Sequence, residues 1–128
     1  MRVLQLPKII SSLKGDRMMD SSVREYIENY SLEIIEMYKK LRELILKSTS
    51  QQIEEKLWAK IPSYYVGEKF VRLIPFKDHI NIQAMAIMQH KNELTGYKIT
   101  SKGMLQIYLN QTVPLLLLQK IFDETLNR

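Results

Sequence analysis

From Asp20 onward the hydrophobic period of the chain changes twice, and the changes divide it into helices, strands and a closing helix. Val23, Tyr26, Ile27 and Tyr30 recur at spacings of three and four, the period of one helix face. Ser22 and Glu25 have the spacing of a capping box, in which each side chain satisfies a free amide of the first turn. Ser31 offers a cap to a second helix running to about Lys47. Its inward stripe is Leu32, Ile35, Tyr38, Leu41, Leu44 and Ile45, widened by Ile34 and Met37. Between Glu54 and Ile82 apolar and polar residues tend to alternate. Glu54 to Lys60 reads as a strand with Leu57 on one face and Lys56 and Trp58 on the other, ended by Pro62. Tyr64 to Val66 starts a second strand, and Gly67-Glu68 a tight turn. Lys69 to Phe76 places Phe70, Arg72, Ile74 and Phe76 on one face and Val71, Leu73 and Pro75 on the other. Lys77-Asp78 turns the chain into His79 to Gln83. Consecutive short strands joined by short turns predict an antiparallel meander. Ala84 to Leu94 reads as a helix stopped by Gly96, Tyr97 to Gly103 as a polar loop, and Met104 to Leu109 as a last strand. Pro114 suits the first turn of a closing helix whose buried stripe is Leu115, Leu118, Ile121, Phe122 and Leu126. The expected fold is α+β: N-terminal helices, an antiparallel sheet of about five strands, and a C-terminal helix.

Charge changes this picture little. The net charge of +5 falls to +2 (15 basic, 13 acidic) without residues 1–17, and the remaining charges are mixed along the chain. The nearest approach to a nucleic-acid stripe is Lys56, Lys60, Lys69, Arg72 and Lys77 with Trp58, Tyr64 and Phe70, and no block of one sign supports it. The chain has no cysteine, which excludes disulfides and thiolate chemistry and fits a reducing cytoplasm. The longest apolar run, Val113 to Leu118, is interrupted by Pro114 and is far too short to span a bilayer. Residues 1–17 are basic and apolar, but Pro7 and Lys8 break the segment, and no small-residue cleavage site follows. Lys14-Gly15-Asp16 can be encoded by AAA-GGA-GAT, a bacterial ribosome-binding sequence. Residues 1–17 are therefore expected to be an extension, with Met18 or Met19 as the natural start and a single domain over 18–128.

Candidate chemistry gathers in the strand region. Lys56, Trp58, Tyr64, Lys77, His79 and Lys102 offer cations and aromatic surface suited to an anionic or aromatic ligand if they share one face of the sheet. The plainer reading makes Trp58 and Tyr64 core residues and leaves the lysines in water. His90, between Gln89 and Lys91, reads as exposed. Glu25, Glu28, Glu33, Glu36 and Glu43 are interleaved with basic residues, as on the wet face of two amphipathic helices. Nothing points to catalysis: there is no nucleophile elbow, no Gly-rich phosphate loop and no His pair at zinc spacing.

Glu55, Trp58, Pro62, Phe76-Lys77-x-His79-Ile80, Tyr97-Lys98, Ser101-Lys102-Gly103, Gln106 and Pro114 follow one another as in the YdhG-like family, which this chain resembles over about residues 23–126. Where that family usually has Gly after the Trp, this chain has Ala59. The family comprises small bacterial proteins, some called frataxin-like iron chaperones. The resemblance implies a frataxin-like outline and a small cytosolic iron carrier serving a biosynthetic enzyme. Iron(II) accepts carboxylate and imidazole, so the groups to test are Glu28, Glu36, Glu54, Glu55, Asp78 and His79. The alternative is a non-enzymatic module binding a small anionic ligand or peptide on the Trp58 and His79 face.

Overall fold

The computed structural model describes residues 17–128. Residues 1–16 of the expected extension lie outside it, as does the question of the natural start. Two helices, α1 (Ser21–Ile27) and α2 (Leu32–Lys47), lead into the sheet. Its strands are β1 (Glu54–Trp58), β2 (Ile61–Val66), β3 (Lys69–Pro75), β4 (His79–Ala84), β5 (Lys98–Ile99) and β6 (Leu105–Tyr108). A 3₁₀ segment, Met85–Glu93, follows β4, and α3 (Leu115–Asn127) closes the chain. All pairings are antiparallel, in the order β1-β2-β3-β4-β6-β5. The fold is therefore α+β, with a six-stranded sheet. The added strand is β5, in the stretch read as a polar loop: Gly103, at φ +84°, lets its amide reach the Thr100 carbonyl and folds Lys98–Ile99 back onto β6.

The helices cover one face of the sheet. Alternation places Val71, Leu73, Ile80, Ile82, Leu105 and Ile107 there, all fully buried. Leu41 and Ile45 of α2, and Leu118, Ile121 and Phe122 of α3, complete this core. Leu115 lies outside it, exposed at the start of α3. On α2 the expected Tyr38, Leu41 and Ile45, with Ile34 and Met37, are inside, but the face is turned at its margins: Leu32 is exposed, Ile35 and Leu44 are half-buried, and Arg42 and Leu46 are inside.

Arg42 explains that rotation. Its Nε lies 2.6 Å from Glu55 Oε2 and its Nη2 3.1 Å from Glu55 Oε1. The Glu55 side chain is fully buried. Burial opposes the charge on Arg42, but the Glu55 carboxylate outweighs it and holds the guanidinium's pKa above its ordinary value. The remaining capacity of the pair fastens the N-terminus: Glu55 Oε1 accepts from the Asp20 amide at 2.9 Å, and Arg42 Nη2 donates to the Arg17 carbonyl at 3.1 Å. Arg17 in turn donates to the Ile53 carbonyl at 2.8 Å. This pinning also sets the start of α1. Asp20, not Ser22, is its N-cap, accepting from the amides of Ser22 and Val23, so the expected Ser22–Glu25 capping box does not form. Ser31 caps α2 as expected.

Two further expectations are corrected. Pro62 does not end β1. It stands opposite Leu57 inside β2, at a point where β2 pairs with β1 alone because the β2–β3 pairing begins at Ser63. The strand instead ends in a two-residue turn, Ala59-Lys60, with φ of +51° and +67°. Ala84 belongs to β4, and the residues after it form 3₁₀ turns broken at His90, not an α-helix. The Ala86 amide donates to Thr125 Oγ1 of α3 at 3.1 Å, a tertiary bond that satisfies a first-turn amide with no acceptor inside the segment. Among the described residues no helix is long and apolar enough to cross a membrane.

Positive φ at both central residues is what a type I′ hairpin turn demands, and Ala and Lys meet it with strain. Lys60→Gly should raise the free energy of unfolding in urea by about 1 kcal/mol. Glu55→Ala should lower it by about 3–5 kcal/mol, because Arg42 is left as an unmatched buried charge. A paired apolar replacement, Arg42→Met with Glu55→Leu, should recover most of that loss in the same measurement.

Candidate functional site

The face turned away from α2 and α3 carries the unusual chemistry. Alternation places Lys56 and Trp58 of β1, Ser63 and Tyr65 of β2, Phe70 and Arg72 of β3, His79 and Asn81 of β4, and Tyr108 of β6 on it. At its centre lies Arg72, only 7% exposed. The guanidinium carbon is 4.0 Å from the centre of the Trp58 ring and 3.8 Å from that of Phe70. Nε donates to Ser63 Oγ at 3.1 Å and Nη2 to the Tyr65 hydroxyl at 2.9 Å. The Ser63 hydroxyl donates its own proton to the Ile61 carbonyl at 3.0 Å, which leaves its oxygen to receive Arg72. Among the described residues no carboxylate lies within ion-pair distance of Arg72. A buried cation is thus held by rings and neutral oxygens alone.

Around this centre run an aromatic rim and one orphan acceptor. At the β1–β2 turn end of the sheet, Trp58 is 49% and Phe76 42% exposed. Phe76 stacks on His79 at 4.6 Å, and His79 on Tyr108 at 4.5 Å. His79 Nδ1 is 2.8 Å from Asp78 Oδ1, which fixes the ring between its neighbours. Lys56 Nζ lies 5.0 Å from the centre of the Tyr65 ring and 3.4 Å from Glu54 Oε2. Asn81 Oδ1 is buried with no hydrogen-bond partner among the described residues.

The sequence placed six residues on this face, and the structure divides them. Lys56, Trp58 and His79 are there. Tyr64 is not: it is fully buried on the helix-covered face, opposite Glu55, with its hydroxyl bonded to that of Tyr38. Burial pushes both of these phenols upward and keeps them neutral. Tyr65, one residue on, has the outward position instead. Lys77 lies in the β3–β4 turn beside His79. Lys102 lies in the β5–β6 loop, which joins β6 at Leu105, opposite Ile82, so it belongs to the other end of the sheet. Arg72 is the residue the sequence reading missed. Its signal was a lone charge within Phe70-Val71-Leu73-Ile74, on the same strand face as Phe70.

The expected metal donors occupy separate places. Glu28 caps the end of α1, and Glu36 lines a groove beside Met37, Lys40 and Leu109. Glu54 and Glu55 are neighbours on a strand and so point to opposite faces, the first near Lys56 and the second bound to Arg42. Only Asp78 and His79 meet. Among the described residues no three His, Asp or Glu side chains are grouped so as to hold a metal ion.

His90 is also corrected: it is buried, not exposed. Its Nε2 lies 2.7 Å from Glu124 Oε1 and its Nδ1 2.5 Å from Glu93 Oε1. Glu93, three residues on, was visible in the sequence; Glu124, on α3, was not. Comparison of this chain with protein-family models, with curated proteins and with solved structures finds no match.

Two carboxylates on the two ring nitrogens favour the imidazolium. Hydrogen bonds to Glu124 and then Glu93 raise the His90 pKa above its ordinary value, and Glu124 is lowered by the same bond. Lys120 and Arg128 add a smaller pull on Glu124. Because the folded value is raised, the contribution is complete below the unfolded pKa near 6.5 and is lost as pH rises through the folded value. The melting temperature should therefore fall from about pH 6 to pH 9 more in the wild type than in His90→Gln, as read by thermal unfolding at each pH.

Proposed function

We propose that this chain is a non-enzymatic binding module whose helix-free sheet face takes a carboxylate-bearing ligand, a small anion or a short acidic peptide segment. The observation that carries the reading is Arg72, a buried guanidinium with no carboxylate partner among the described residues, beneath an exposed Trp58. A bound oxyanion supplies the missing counter-charge without breaking an existing ion pair. Trp58 and Phe76 supply apolar contact area, and Lys56 a second cation at the margin. Among the described residues neither histidine bonds a serine, threonine or tyrosine hydroxyl, so no activated nucleophile supports a catalytic reading.

The second reading is the iron carrier implied by the YdhG-like resemblance. Its support is the Asp78–His79 pair, the one place where two of its donors meet. A weak, exposed site of that kind suits a protein that must release its cargo, and the acceptor on this reading is a biosynthetic enzyme in the cytoplasm.

Trp58 is the only tryptophan, so its fluorescence reports directly on this face. Titration with a hexaglutamate peptide should change its emission saturably. The affinity should fall with added salt and drop about tenfold in Arg72→Gln, the loss of one charge-assisted pair. An unchanged emission with both hexaglutamate and inorganic phosphate would sink the anion-binding reading. Saturable binding of iron(II) that His79→Ala abolishes near neutral pH would favour the carrier instead.

A further inference from the structure

A cleft of about 700 Å³ lies at the other end of the molecule, between the β2–β3 hairpin, the 3₁₀ segment and the end of α3. It is of the size that small-molecule sites occupy. Val66 and Phe70 form one wall, Met85 and Ala86 a second, and Leu126 a third. Met85 is 85% exposed at this cleft, an adaptable apolar side chain left in water by the chain's own packing.

The walls are fixed to one another. The Ala86 amide donates to Thr125 Oγ1, and His90 binds Glu124, so two bonds tie the 3₁₀ segment to α3 beside the cleft. The same bonds dispose of its inner polar groups. Thr125 Oγ1 accepts from the Ala86 amide, and Glu124 shares the His90 ring with Glu93. Two lining cations, Lys69 and the side chain of Arg128, are in no ion pair among the described residues. The same holds for Glu68, a lining carboxylate at the tip of the hairpin.

We propose that this cleft is a second ligand site, for an amphiphilic anion: a hydrocarbon chain that packs on Val66, Phe70, Met85 and Leu126 and ends in a carboxylate held by Lys69 and Arg128. The apolar walls account for the chain. The free cations account for the head. The site uses different cations from the anion-binding face around Arg72 and opens at the opposite end of β3 from Phe76; Phe70, whose ring also packs on Arg72, is the one residue the two share.

The test uses the full chain with ¹³C-methyl methionine and decanoate below its micelle concentration. The Met85 methyl should shift saturably, while Trp58 emission stays unchanged. Lys69→Glu should weaken binding about tenfold, the loss of one charge-assisted contact. Met85→Asp, at an exposed position that leaves the core intact, should weaken it as well. Decanol should bind less tightly than decanoate, and decyltrimethylammonium not at all. No Met85 shift with decanoate overturns the site. Equal binding of decanol and decanoate, or a Lys69→Glu affinity equal to wild type with melting temperature preserved, overturns the assignment of an anionic ligand.

Discussion

The buried pair of Arg42 and Glu55 is the constraint on which the rest of the domain is hung. Neither residue gains much stability from the other in isolation, since removing two charges from water costs about as much as their attraction returns. What the pair provides is position. Glu55 is an inward residue of β1, the edge strand, and Arg42 is on α2. Their two hydrogen bonds set which side of α2 faces the sheet, and so push Leu32 outward and bring Ile34 and Leu46 in. The lone pairs and N–H groups left over take the backbone at Asp20 and Arg17, which places α1 against β1. Beside them Tyr64 lies across from Glu55 and shares its hydroxyl with Tyr38, so a polar seam crosses an otherwise apolar interface.

This seam also explains which parts of the molecule were legible in the sequence. Alternation located every strand of the meander and assigned Val71 and Leu73 to one face and Phe70 and Arg72 to the other, because period two is a local property of the backbone. The Gly67-Glu68 turn and the Ser31 cap were legible for the same reason: each works within a few residues. The face of α2 was legible in part: Ile34, Met37, Tyr38, Leu41 and Ile45 are inside as read, while Arg42 was missed because hydrophobic periodicity counts a charged residue as outside. Of the two places read for Tyr64, the core is the one found, and the ligand face failed through register. Beginning β2 at Tyr64 leaves its phase unset against Trp58, whereas the observed turn at Ala59-Lys60 pairs Trp58 with Ile61 and sends Tyr64 inward. Two residues of positive φ without a glycine gave no turn signal there.

The candidate site was half legible, and for a related reason. Trp58, Lys56 and His79 were found through alternation, but the residue that organises them was passed over because it was read as one more surface cation. Side-chain type does not show whether a charge has a partner. That depends on contacts such as Glu55 with Arg42, thirteen residues apart in sequence and on different elements. The donors expected for iron failed to gather for the same cause. Adjacent acidic residues look like a cluster on the page, yet on a strand Glu54 and Glu55 diverge, and only the turn at Asp78 lets two neighbours meet.

The contrast between the two buried arginines carries the functional argument furthest. Arg42 has a carboxylate on two of its nitrogens; Arg72 has none among the described residues, although both are more than nine-tenths removed from solvent. Burial of a guanidinium without a counter-ion costs several kcal/mol. Stacking between Trp58 and Phe70 returns about 2 kcal/mol when the pair is desolvated, and each hydrogen bond to Ser63 or Tyr65 about 1.5–3. Those terms are of the same size as the penalty, so Arg72 is held close to neutral cost without being saturated. A surface that merely needed stability would reach it with an apolar residue between the same rings. A rigidly positioned cation under an exposed tryptophan stabilises nothing in the free domain that leucine would not, and this is the cost that the proposed anion-binding role would account for.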